Sequence, residues 1–260
     1  MKKEILIDNF LIQEVIKIMM KAHESILNIY SLSKYEIDYK QNNTPVTKAD
    51  LLAHQIITKG LNKLTPDIPI VSEEDENSFY LNKRVKYYWI IDPLDGTKEF
   101  IKKTGEFTCN IGLIKNSQPL YGFVGIPTNG LIYHGGKDYG SYKRTNDFNE
   151  TQIKCSERKD PLRIIMSKSH INKETKDYVE GLDIPYVTIQ AGSSLKFIKV
   201  AEGDADIYPR LGLTSEWDTA AAHAVLEGAG GLVLQLNGNE LIYGKDNILN
   251  PYFLAESNKN

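Results

Sequence analysis

The chain has 260 residues, 41% of them hydrophobic, enough to bury a substantial core in one or two domains. Its 31 basic and 34 acidic residues leave a net charge of -3, with no block of Lys and Arg. That argues against a dedicated nucleic-acid or membrane surface, so a small anionic partner needs local cationic help.

The N-terminal residues 4 to 30 place Leu6, Phe10, Leu11, Val15, Ile18, Met19, Ala22, Ile26 and Ile29 mostly at three- and four-residue steps, which predicts an amphipathic helix. Asp8, Glu14, Lys17 and Lys21 interrupt it, so it reads as neither a signal peptide nor a membrane span. The expectation is a cytoplasmic protein, with loose association to the inner face of a membrane left open. Thr47 and Asp50 then form the S/T-x-x-D/E start of a second helix, expected to end near Thr65-Pro66. Strands are predicted at "IPIVS", "VKYYWIID", "TCNIGLIK" and "PLYGFVGIP", turning at Asn116 to Gln118 and at Asn129-Gly130 as an antiparallel meander. "TNDFNETQIKCSERKD" reads as a polar connection. Beyond it strands alternate with helices: "LRIIMS", "NKETKDYVEGL", "YVTIQ", "SSLKFIKVAEG", "ADIY", "WDTAAAHAVLEGAGG", "LVLQL", an α/β pattern. The expected division is an N-terminal α+β part over residues 1–160 and a C-terminal α/β part over 161–260. Cys109 and Cys155 are the only cysteines and read as reduced packing thiols.

In "WIIDPLDGTKEF" two aspartates stand three residues apart directly after an apolar run. Pro93 restricts Asp92 to an extended conformation and is expected to end the strand there, while Gly96 permits a positive φ. A turn through Pro-Leu-Asp-Gly brings Asp92, Asp95 and the Leu94 carbonyl to one side, a set of oxygens suited to a hard cation such as magnesium. An Asp-Pro and Asp-Gly surface turn accounts for the same residues. Glu73 and Glu74 follow another short strand in "VSEEDE", where a solvated acidic run is the alternative. Asp218 opens an Ala-rich helix, where an N-cap is the alternative. Asp50 has a structural explanation in its capping box.

Taken in order, "PVTKAD", "VSEEDE", "WIIDPLDGTKEF" and "EWDTAAAHAVLEGAGG" resemble the inositol monophosphatase superfamily of lithium-sensitive phosphatases over nearly the whole chain. "IDPLDGTKEFIKKTGEFTCNIGLI", "AGSSLKFIKVAEGDADIYPR" and "SKSH" are most similar to its 3′(2′),5′-bisphosphate nucleotidases of CysQ type. The resemblance implies a layered αβαβα sandwich and a phosphomonoesterase that converts adenosine 3′,5′-bisphosphate to AMP and phosphate in sulfur metabolism. It implies two or three Mg²⁺ ions. Glu73, Asp92 and the Leu94 carbonyl would hold one, Asp92, Asp95 and Asp218 a second, and a third would lie near Glu73. It also implies that Thr97, oriented by Asp50, activates the attacking water, and that Gly96 and Thr97 offer backbone N–H groups to the phosphate. His170, Ser193, Lys196 and Arg210 would contact the nucleotide and its other phosphate, which charge-assisted contacts recognise well. On the residues alone, Lys196 fits a solvated helix face and His170 a loop equally well.

Ala222 stands where relatives often carry glycine, and Asn42 where they usually carry an acid. The partner expected is a small-molecule substrate, with the chain a monomer or homodimer. An inositol 1-phosphate phosphatase would use the same metals with a different pocket. A nucleotide-binding regulator with a dead site is the third reading, against which the retention of every matched acid and of Thr97 argues.

Overall fold

The run from Tyr87 to Ile91 decides the layering, because successive side chains of a strand point to opposite faces. In the computed structural model, which describes residues 4–33, 37–39, 45–81, 85–168 and 171–257, Tyr87, Trp89 and Ile91 enter one core and Tyr88 and Ile90 another. Helix α1 (Asn9–Tyr30), the short pair β1 (Ile37–Tyr39) and β2 (Pro45–Thr47), and helix α2 (Lys48–Leu64) come first. Strand β3 (Ile70–Ser72), a 3₁₀ turn (Glu76–Tyr80), β4 (Tyr87–Asp95) and the short helix α3 (Thr97–Ile101) follow. A meander completes the first sheet: β5 (Thr108–Lys115), β6 (Gln118–Ile126), β7 (Leu131–Gly136), β8 (Gly140–Arg144) and β9 (Glu150–Ile153). The remainder is β10 (Leu162–Ser167), α4 (Lys173–Glu180), β11 (Tyr186–Ala191), α5 (Leu195–Ala201), β12 (Ile207–Arg210), a 3₁₀ turn (Glu216–Asp218), α6 (Ala220–Gly228), β13 (Gly231–Gln235) and β14 (Phe253–Ser257).

Strands β3 to β9 form a seven-stranded sheet in sequence order, and the second sheet runs β11-β10-β12-β14-β13. Helices α1 and α2 cover the outer face of the first sheet through Val15, Met19, Ile57 and Leu61. Helices α5 and α6 fill the space between the sheets through Phe197, Val200, Ala221 and Val225. Val179 of α4 closes the far side against Leu162, Ile164 and Ile207. The five layers are the αβαβα sandwich expected. Close approach of α6 to the sheet depends on Gly122 of β6, where a Cβ would lie 2.0 Å from the Ala221 carbonyl oxygen. Ala222 is buried in the same core without displacing the helix from the sheet.

Two expectations need correction. β4 does not end before Pro93 but runs to Asp95, with a register shift between Asp92 and Asp95 against β5. The bulge absorbs one extra residue, which lets the strand accept a proline without a ladder N–H. The polar stretch after residue 144 also contains β9, an edge strand whose first three residues are exposed; its lack of apolar alternation hid it. Asn42 and His170 lie outside the described residues. Both cysteines are unpaired, and Cys109 is buried.

Candidate active site

The site begins with strand register. β3 and β4 run parallel with Ser72 opposite Ile91, and the Glu73 N–H continues the ladder by donating to the Ile91 carbonyl at 3.2 Å. Glu73 therefore leaves its strand beside Asp92. The bulge then turns β4 so that Asp95 comes opposite Thr108 while Asp92 stays opposite Asn110. Asp92 accepts from the Leu94 N–H at 3.1 Å on Oδ1, which folds the Pro93-Leu94 corner back over its own carboxylate. From the other side, the 3₁₀ turn before α6 carries Asp218. Asp218 is not the N-cap of that helix, which begins at Ala220. It is the third residue of a capping box in which Ser215 N–H donates to Asp218 Oδ2 at 2.8 Å.

Glu73, Asp92 and Asp218 each present a carboxylate oxygen, all within 4.8 Å of one another. Burial, then the charges of Glu73, Asp95 and Asp218, holds the Asp92 carboxyl well above the usual carboxylate range. Burial, then Asp95 and Glu73, does the same to Asp218. Asp95 is also raised by burial, opposed by a hydrogen bond from Ser193 and by the charge of Lys196. Carboxylates gathered this way are unfavourable as anions unless a cation compensates them, and an all-oxygen set suits a hard divalent ion. The donor chemistry therefore fits magnesium.

Beside this cluster, Asp50 is buried at the start of α2. Its Oδ2 accepts from the Thr47 N–H at 2.8 Å and the Thr47 hydroxyl at 2.6 Å. Its Oδ1 accepts from the Thr97 hydroxyl at 3.1 Å. Burial raises its pKa, against those hydrogen bonds. Gly96, with φ 94, makes the corner that places Thr97 at the start of α3.

The opposite wall is cationic. Lys196 is only 5% exposed, so the solvated-face reading does not hold. Its Nζ donates to the Ser193 carbonyl at 2.5 Å and lies 5.2 Å from the Tyr208 ring centre. Burial pulls its pKa down to about 8, opposed by Asp95 and assisted by Arg210. Arg210 donates to the Leu213 carbonyl at 2.7 Å. Glu73, Asp92, Leu94, Asp95, Gly96, Thr97, Ser193, Lys196, Arg210 and Asp218 all line one cavity of about 340 Å³, and Asp50 reaches it through Thr97. Of the site residues proposed from the sequence, His170 alone lies outside the described residues. Thr108 and Asn110, behind the cavity wall, and Ser194, which lines it, hydrogen-bond to one another and were missed. The available signal was the polar pair Thr108 and Asn110 at alternate positions of an otherwise apolar strand.

Fold and site together define a phosphatase-like class, and the inositol monophosphatase family pattern matches residues 9–259; the chain belongs to that family. Within it, the chain is 41% identical to the 3′(2′),5′-bisphosphate nucleotidase CysQ of Salmonella typhimurium, over 94% of this chain and 98% of that protein. The crystal structure of CysQ from Bacteroides thetaiotaomicron, a bacterial member of the family, superposes with a TM-score of 0.85 at 36% identity, covering 95% and 97% of the two chains. A Thermotoga maritima IMPase shares the fold at 21% identity, with a TM-score of 0.76 over 94% and 91% of the two chains. No helix among the described residues is long and apolar enough to cross a membrane.

Proposed function

We propose that this protein is a magnesium-dependent 3′(2′),5′-bisphosphate nucleotidase that hydrolyses adenosine 3′,5′-bisphosphate to AMP and phosphate, with the related phosphosulfate as a second substrate. The observation that carries the reading is the pairing, in one cavity, of an acidic cluster with Arg210 and the buried Lys196. A substrate with two phosphates needs both ends: one where charge is managed by cations, and one where fixed positive groups hold the phosphate that stays. The identity to proteins named as such nucleotidases points the same way.

Glu73, Asp92 and the Leu94 carbonyl would hold one magnesium, and Asp92, Asp95 and Asp218 a second. When bound, the ions neutralise charge on the phosphate ester and on the departing oxygen. The rest of the chemistry belongs to the chain. Because the Thr97 hydroxyl donates to Asp50, its lone pairs are left to accept a hydrogen bond from the attacking water and so orient it. As the water attacks, its proton passes to Thr97 Oγ1 and the Thr97 proton passes to Asp50. Burial has already raised the affinity of Asp50 for that proton. The backbone N–H groups of Gly96 and Thr97 face the scissile phosphate. Lys196, Arg210, Ser193 and His170 hold the nucleotide and its other phosphate, with Arg210 as the planar fork and Lys196 as the point charge.

A phosphate-release assay with Mg²⁺ tests this. Adenosine 3′,5′-bisphosphate should be hydrolysed much faster than inositol 1-phosphate. The reverse ranking would replace the nucleotidase reading with an inositol phosphatase, using the same acids and leaving Lys196 and Arg210 without a substrate group.

A further inference from the structure

From behind the cavity wall into its lining, a row of small polar groups joins β5 to Asp95. Thr108 and Asn110 are buried on β5, opposite Asp95 and Asp92. Thr108 Oγ1 lies 2.5 Å from Ser193 Oγ and 2.8 Å from Ser194 Oγ. Ser193 Oγ lies 2.5 Å from Asp95 Oδ2. At the other end, Ser194 Oγ lies 2.9 Å from the Asn110 side-chain amide.

Proton counting gives this row a direction. A hydroxyl donates one proton, and a carboxylate only accepts. The Ser193 proton therefore goes to Asp95, the Thr108 proton to Ser193, and the Ser194 proton to Thr108. Ser194 then has nothing to donate to Asn110, so Asn110 must donate to Ser194 through its amide nitrogen. With the amide oxygen toward Ser194, Asn110 Nδ2 is buried without a partner among the described residues. Half a turn of the amide, which exchanges two groups of nearly equal shape, satisfies that donor and every hydroxyl in the row.

We propose that Thr108 and Asn110 are positioning residues for the reaction: a one-way chain of donors, Asn110 to Ser194 to Thr108 to Ser193, that sets the orientation of the Asp95 carboxylate toward the acidic cluster. The inference rests on the reading of Asp95 as a magnesium-holding group. The same chain pins the turn at Ser193, a non-glycine residue with φ 52, in a backbone conformation that an L-residue adopts at a cost. Ser193 is held from three directions: by Thr108 and Asp95 on its hydroxyl, and by Lys196 on its carbonyl. The first sheet thereby fixes the turn that carries the substrate-facing Ser193 and leads into α5, from which Lys196 projects.

The test is calorimetric titration of Mg²⁺ into the wild type, Thr108→Val and Thr108→Ser, with turnover measured in parallel. Valine keeps the shape and removes the hydroxyl. Thr108→Val should weaken Mg²⁺ binding and lower kcat by about 10-fold or more, the size usual when a group supporting a metal-holding side chain is lost. Thr108→Ser should recover both to within about threefold of the wild type, since the hydroxyl is the part that acts. Wild-type Mg²⁺ affinity in Thr108→Val would overturn the proposal, as would a Thr108→Ser defect as large as the valine one, which would mean that only packing matters. Should Thr108→Val not fold, Asn110→Leu removes the first donor, and unchanged Mg²⁺ affinity in that variant overturns the proposal equally. A wild type that binds Mg²⁺ but ignores the bisphosphate would sink the nucleotidase reading alone, because the calorimetric comparison stands without any substrate.

Discussion

The chain uses the same local device twice, at Thr47–Asp50 and at Ser215–Asp218, and leaves the two aspartates with different hydrogen-bond partners. Both are third residues of capping boxes, each accepting the N–H of the residue three before it. Asp50 commits both oxygens to protein donors, one to Thr47 and the other to Thr97. Asp218 commits only Oδ2 to its box and stands within 4.8 Å of Glu73 and Asp92 through a carboxylate oxygen. A carboxylate whose lone pairs are filled by hydroxyls can orient and accept a proton, whereas one with an oxygen left over can meet a cation. The motif decides where an acid sits along its helix, and the contacts of its second oxygen decide what it does.

Asp218→Asn breaks this comparison most sharply, because the asparagine amide oxygen can still accept the Ser215 N–H but the side chain carries no charge. Loss of about 10³-fold in kcat/KM is expected, within the range for removing a key electrostatic group. The metal-free protein should become more stable, since one member of a crowded set of like charges is gone. The acids raised by burial bind protons more tightly folded than unfolded, so without metal their contribution falls as pH rises above the ordinary carboxylate range. Thermal unfolding in EDTA and in Mg²⁺ checks both points; an unaltered kcat/KM would remove Asp218 from the metal set.

Asp50→Asn should cost less, about 10²-fold in kcat, the lower end of the range for general acid–base groups. Mg²⁺ affinity should hold, because neither Asp50 oxygen faces the cluster. Combining it with Thr97→Val should add little, as expected of residues acting as a unit. A marked loss of Mg²⁺ binding in Asp50→Asn would show that the two boxes are not separate in function.

The smallest expected effect on activity comes from His23, which sharpens the comparison by having neither box nor charged partner among the described residues. Burial alone lowers its pKa to about 4 from 6.5. The unfolded chain therefore takes up this proton before the folded one does, and the stabilisation is full above about pH 6.5 and lost progressively as pH falls toward about 4. The loss should reach roughly 3 kcal/mol, read by denaturant unfolding across that window. In His23→Gln the corresponding slope should flatten; an unchanged slope would assign the acid sensitivity to other groups.

Much of this was legible in the chain itself. The apolar run in "VKYYWIID", the box at Thr47–Asp50, the stop at Thr65-Pro66 and the Ala-rich run of α6 are patterns acting over a few positions, and a strand, a helix start, a helix end and a helix appear at them. The strand-end acids Glu73, Asp92 and Asp95 were visible for the same reason. Other features needed the fold. Pro93 looked like a stop until pairing with β5 turned the corner into a bulge. On the residues alone Lys196 fitted a solvated helix face as well as a phosphate contact, until α5 was packed between two sheets. Thr108 and Ser193 meet across a separation of 85 residues, which no local pattern records. By itself the sequence determined which residues form helices, strands and caps, because those preferences arise from backbone sterics and neighbouring side chains. Only the tertiary structure decided which acids share a charge, which lysine loses its water and which hydroxyl donates to which. Desolvation and hydrogen-bond direction depend on every group within a few ångströms, wherever it lies in the chain.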